Sequence, residues 1–174
     1  YTKELDYLSY NSRLIEFVFN TLQTYVLEFG DKTIRFIKND SFIFDSTKTI
    51  TGVTNASPAV VTSNAHGFSN GDQIYISGVL GMTELNNRYF IVGGVTANTF
   101  ELKEVRSSLV NIDSTSYGTY TSAGTAARIY TIATPYSHED LSELKYIQSA
   151  DVMTITHQSY PPAELSRLGD ASWT

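Results

Sequence analysis

Apolar positions along this chain alternate more often than they recur at helical spacing, and the alternation comes in short runs. Arg13-Leu14-Ile15-Glu16-Phe17-Val18-Phe19 and Gln23-Thr24-Tyr25-Val26-Leu27-Glu28-Phe29 are rich in aromatic and β-branched residues, as strands are. Gly30-Asp31 then marks a turn before Thr33-Ile34-Arg35-Phe36-Ile37-Lys38. Tyr25, Leu27 and Phe29 fall on one face of their strand, and Ile34 and Phe36 on one face of the next, so a three-stranded antiparallel sheet is predicted over 13–38. Later, Arg128-Ile129-Tyr130-Thr131-Ile132 reads as a strand halted by Thr134-Pro135-Tyr136, and Ala150 to His157 reads as another. Between them one short helix is expected. Ser137 with Asp140 makes a capping-box-like start, Glu139, Asp140 and Glu143 suit the positive helix end, Lys145 suits the last turn, and Leu141, Leu144 and Ile147 form an apolar stripe. Tyr160-Pro161-Pro162 forces an extended exit.

Charge divides the chain. Only eight of its thirty Asp, Glu, Lys and Arg residues lie in 49–127, a stretch rich in Gly, Asn, Ser and Thr. Its brief apolar runs, Ala59-Val60-Val61, Ile74-Tyr75-Ile76 and Tyr89-Phe90-Ile91-Val92, are separated by turn clusters, the pattern of a small barrel or sandwich. Residues 49–127 are therefore expected to be an inserted small β-barrel, and 1–48 with 128–174 a discontinuous host β domain whose strands approach one another at the insertion. The fold class is mainly β: an antiparallel-sheet host with one short helix, interrupted by an SH3-like barrel.

Composition narrows the chemistry. The chain has 174 residues, 18 acidic against 12 basic, for a net charge of −6. That balance lacks the positive field phosphate backbones require, so no nucleic-acid partner is expected. The absence of cysteine removes disulfides, thiolate metal sites and thiol nucleophiles. No apolar run approaches the roughly 20 residues of a membrane-spanning helix, so no membrane span is expected. The first residue, Tyr1, and the last two, Trp173-Thr174, read as cuts through a longer protein.

No glycine-rich phosphate loop is present. Asp113 to Gly118 has a faint calcium-loop look, yet Gly124 stands where the bidentate Glu belongs. His66, His138 and His157 share no ligand spacing, and each reads as a structural residue. Glu101 with Glu104, and Glu139 with Asp140, are adjacent carboxylates better read as a strand end and a helix start than as an acid/base pair. Tyr75, Tyr89, Tyr117 and Tyr120 could stack a sugar or a partner, but in a small β domain such rings more often close the core. The expectation is no enzyme, no metal site and no cofactor. Gly67 and Gly71 permit a tight turn, Asp72 bonds back to its amides, and His66, Gly67, Gly71 and Asp72 together are read as the structural turn of the insert.

Two resemblances follow from these residues. His66-Gly67-Phe68-Ser69-Asn70-Gly71-Asp72, Gly81-Met82-Thr83-Glu84-Leu85-Asn86 and Asn98-Thr99-Phe100-Glu101-Leu102 make the insert similar to the small barrel called the first catalytic cysteine half-domain of ubiquitin-activating enzymes. That resemblance implies a fold and no activity. The flanks resemble tail tubular, or nozzle, proteins of short-tailed bacteriophages and prophages, through Arg13 to Asn20, Gln23 to Asp31, Ala133-Thr134-Pro135-Tyr136, Gln148 to Met153, His157, Pro161-Pro162, Leu165, Arg167 and Trp173. The chain departs from that pattern at Gln158, where proline usually follows the histidine.

The resemblance implies a structural virion protein located in the tail, or in the bacterial cytoplasm when made from a prophage. Its partners would be other copies of the parent protein and neighbouring tail proteins, with the barrel as a decorating or partner-binding module. The alternative is a carbohydrate-binding or depolymerising phage adhesin whose partner is a host-surface glycan. A fragment of a ubiquitin-pathway enzyme is disfavoured by the flanks. Tyr160, Pro161, Pro162 and Trp173 are the candidate interaction residues, although a core role suits Trp173 better.

Overall fold

A computed structural model describes residues 12–20, 23–107 and 109–174. Every regular element among them is a strand or a short 3-10 turn, arranged in three antiparallel sheets without an α-helix. The chain forms two compact units, one of residues 44–129 and one of the flanking segments up to 43 and from 130.

The host unit begins with β1 (Arg13–Asn20), β2 (Gln23–Gly30), β3 (Thr33–Lys38) and β4 (Ser41–Phe42). Leu27 sits opposite both Ile15 and Phe36, so the alternation read from the sequence puts Ile15, Phe17, Tyr25, Leu27, Phe29, Ile34 and Phe36 on one buried face. After the insertion, β12 (Thr131–Ala133) joins this sheet against β3, with Ile132 opposite Ile34. A second sheet of the unit comprises β13 (Lys145–Ser149), β14 (Val152–His157), β15 (Tyr160–Gly169) and β16 (Ser172–Trp173), in that order. Met153, Ile155, Leu165 and Trp173 from it share one core with the first sheet. Pro161 and Pro162 occupy the start of β15, beside a register shift between Ile155 and His157, where a missing N–H disturbs no ladder.

The expected helix is not formed. Only a 3-10 turn, Asp140–Ser142, follows Ser137, and the chain then extends into β13. The cap itself is real: the Asp140 carboxylate accepts the Ser137 amide and hydroxyl, each at 2.8 Å. Leu141 and Leu144 are buried, but Ile147 is 72% exposed, so the apolar stripe spans a single turn. Tyr146 and Ile147 instead pair with Ile155 and Thr154 across the two-residue Ala150-Asp151 hairpin. Long-range pairing of aromatic and β-branched residues outweighs a helix too short to persist.

The inserted unit contains β5 (Phe44–Thr49), β6 (Gly52–Val53), β7 (Val60–Thr62), β8 (Gln73–Ser77), β9 (Arg88–Gly93), β10 (Thr99–Lys103) and β11 (Thr125–Ile129). They form one sheet in the order β5-β11-β8-β9-β10-β7-β6. Because β5 and β6 are consecutive in the chain yet lie at opposite ends of that order, residues 44–53 close the sheet on itself. Ile50, Val61, Ile74, Ile76, Phe90, Phe100 and Leu102 fill the interior. Charge marks the insert as 49–127, whereas the compact unit runs from Phe44 to Ile129, since β5 and β11 pair along their length within its sheet.

Two glycines are obligatory corners of this unit. Gly71 has φ +94° in the turn before β8, and Gly81 has φ +87° where an added Cβ would lie 2.1 Å from the Thr119 carbonyl oxygen. A fragment of residues 44–129 is expected to unfold in one cooperative calorimetric transition, and Gly81→Ala to lower its midpoint markedly. A fragment of 49–127, stripped of β5 and the end of β11, should melt lower still or without cooperativity.

Candidate functional site

The turn predicted at the insert's motif is built as a staple. Asp72 accepts the Ser69 amide at 2.8 Å, and Arg128 joins it at 3.3 Å while bonding Asp45 through Nε at 2.9 Å. This arrangement raises the Arg128 pKa further, chiefly through the hydrogen bond to Asp45. His66 is buried, with ring contacts to Phe68 and Phe100. Its Nδ1 accepts the Phe68 amide at 3.0 Å, so the proton of the neutral ring lies on Nε2, 2.9 Å from the Thr96 carbonyl oxygen. Both nitrogens of His66 are thus engaged within the protein, and the motif's chemistry is turn formation.

His157 has the same local bond and a different surrounding. The Ser159 amide donates to its Nδ1 at 3.1 Å, which again leaves the neutral ring's proton on Nε2. Here no carbonyl receives it. The side chain is 2% exposed, Nε2 makes no hydrogen bond, and the nearest carboxylate oxygens, Asp140 Oδ1 and Glu143 Oε2, stand 3.8 and 3.7 Å away. Glu143 Oε2 instead accepts the Gln158 side-chain amide at 2.7 Å. The ring of Tyr160 lies 5.1 Å from that of His157 and meets Tyr136 edge-on at 5.2 Å, while the Tyr160 hydroxyl donates to Asp140 at 2.8 Å. The buried Tyr136 hydroxyl has no partner, and burial raises its pKa. A cleft of about 750 Å³ opens here, lined by Ser142, Glu143, Leu144, Lys145, Thr156, His157 and Gln158.

The other candidate residues are distributed differently. Trp173 is not available to a partner: its ring is buried against Phe17, Tyr25 and Phe36, at centroid distances of 4.8, 5.4 and 4.5 Å. The chain's final strand places it in the host core because an indole buries more apolar area than any other side chain there. Tyr160 is half-buried by its bond to Asp140, and Pro161 and Pro162 are exposed. His138 sits on no helix, and its amide bonds Asp31. Asp113 is occupied by the Thr115 amide and hydroxyl. Near Trp173, the Tyr25 hydroxyl donates to Asp170 and accepts from Arg167 at 3.0 Å, and Lys38 bridges to Asp170 at 3.0 Å, tying β2, β3 and β15 together.

Of the tyrosines weighed for stacking, Tyr117 and Tyr120 pack on the insert core. Tyr75 and Tyr89 are direct cross-strand partners on the face opposite Ile74, Ile76 and Phe90. With Phe44 they make a row of half-buried rings, 5.9 and 5.0 Å between successive centroids. Among the described residues no group of three His, Cys, Asp or Glu side chains is placed to hold a metal ion.

Two outcomes test this account of the host unit. Trp173→Ala should destabilise it by about 3–5 kcal/mol in denaturant titrations, the cost of emptying a buried aromatic position. Asp140 is held below the ordinary carboxylate range by the Ser137 hydroxyl and amide and the Tyr160 hydroxyl. An unfolded chain therefore binds more protons there, so this contribution is complete above the unfolded pKa and is lost as pH falls through the folded one. Thermal melts from pH 6 to pH 2 should show the host's stability falling most steeply below about pH 4, and Asp140→Asn should flatten that limb.

Comparison with known proteins adds the following. Residues 56–129, less than half of the chain, match the family described as the ubiquitin-activating enzyme E1 FCCH domain. No curated protein matches the chain. Among solved structures it is distantly similar to a phage phi92 endosialidase, with 15% sequence identity and a TM-score of 0.30, over 99% of this chain and 30% of that one. The chain thus spans under a third of that structure's length, and what the comparisons support is an FCCH-like domain over residues 56–129.

Proposed function

We propose that this chain is a binding module of a tailed-phage virion protein, in which a host β unit displays an FCCH-like barrel and acts through contacts rather than catalysis. The observation that carries the reading is the insertion itself. The barrel enters through β5 and leaves through β11, an antiparallel pair in which Phe44 faces Ile129, so a complete unit with its own core is carried on two neighbouring strands. Such an arrangement suits a displayed module, since inserting it asks little of the host chain. The flanks supply the tail, by their resemblance to nozzle proteins, and the partners are then other copies of the parent protein and adjoining tail proteins. Exposed Pro161 and Pro162 are the contact candidates that remain once Trp173 is assigned to the core.

The second reading is a glycan-binding adhesin module. It is favoured by the row of Phe44, Tyr75 and Tyr89, because aromatic faces spaced along a sheet suit stacking against sugar rings. Electron microscopy of the full-length parent and antibody labelling of virions decide between the two. Rings with label at the tail are the expected result. A monomer at high concentration, or label confined to the capsid, overturns the tail-assembly reading. Saturable glycan binding that Tyr75→Ala weakens at least tenfold would move the adhesin reading ahead.

A further inference from the structure

The cleft beside His157 contains a donor that the fold leaves unused. Burying an N–H without an acceptor costs roughly 1–3 kcal/mol, and the overwhelming majority of buried polar groups avoid that cost. His66 avoids it through Thr96, whereas His157 Nε2 makes no bond although it lies within 4 Å of Asp140 and Glu143. Glu143 is 55% exposed and held by a single side-chain bond to Gln158 across the cleft wall. That bond acts as a latch. Its release would uncover the Nε2–H to the cleft and free Glu143 Oε2 to accept from a ligand hydroxyl there.

The site's chemistry selects its ligand. An anion placed on Nε2–H would meet two carboxylates less than 4 Å from that nitrogen and be repelled. An ammonium offers no acceptor. A metal ion needs a bare Nε2 lone pair, which the Ser159 amide denies by occupying Nδ1 and fixing the proton on the other nitrogen. A hydroxyl meets both demands: its oxygen accepts from Nε2–H and its proton goes to a carboxylate. The rim repeats this two-way chemistry with the Ser142 and Thr156 hydroxyls, and adds the Lys145 ammonium as a donor. At about 750 Å³ the cleft is within the range of small-molecule sites.

We therefore propose that the His157 cleft binds a neutral saccharide, seating one hydroxyl between His157 Nε2 and the carboxylates of Asp140 and Glu143 once the Glu143–Gln158 latch opens. This deepens the glycan-binding reading and rests on it. The test is titration of the full chain with neutral mono- and disaccharides, followed by NMR of the imidazole nitrogens and backbone amides. Saturable shifts at His157, Glu143 and Thr156 are expected at millimolar sugar. Glu143→Gln should weaken binding at least fivefold, and Gln158→Ala, which removes the latch, should tighten it several-fold; both positions are exposed, so the fold should survive either change.

Shifts confined to Tyr75 and Tyr89 would overturn the cleft assignment and leave the glycan reading standing. No saturable shift anywhere would overturn both. Saturation by zinc or inorganic phosphate in place of the sugars, or affinities unchanged in both variants, would also overturn the assignment.

Discussion

The antiparallel pairing of Phe44–Thr49 with Thr125–Ile129 is the constraint on which the rest of this structure depends. It brings together two points of the chain separated by the whole inserted unit, so the closure entropy of that long segment is offset inside the segment's own sheet. Arg128 secures the pair, bonding Asp45 across it and Asp72 in the motif turn. With the ends so fixed, Tyr130 bonds Ile43 and the chain resumes as a strand beside Thr33–Lys38. An Asp at the end of a glycine turn is thus part of the barrel's closure as well as of the turn.

Much of this was legible in the sequence where local and long-range demands coincide. Residues 13–38 alternate, turn at Gly30-Asp31 and bury the aromatic face that alternation predicts, because the same face meets the core whichever strand lies beside it. The segment 137–147 folds against its local pattern for the opposite reason. Its cap chemistry is satisfied by Asp140 alone, and a single 3-10 turn suffices for that, while the choice between helix and strand for Tyr146 and Ile147 is made by Val152–His157 across a hairpin. Trp173 is legible as a core residue from its size, while its neighbours Phe17, Tyr25 and Phe36 come from the far end of the sequence and are visible only in the fold.

The candidate site divides in the same way. His66 is legible because its partners lie in its own motif or in the turn before a later strand, whereas the carboxylates near His157 belong to a turn whose local pattern suggests a helix start. Spacing along the chain carries no trace of that approach. Only the packing of the Asp140–Ser142 turn against the end of β14 creates it.

The two histidines set a fold residue beside a site residue under one local rule. In both, an amide two positions on occupies Nδ1, so the sequence fixes the tautomer and directs a donor outward on Nε2. The barrel places a carbonyl there and gains rigidity. The host places two carboxylates just beyond bonding distance and spends one of them on Gln158.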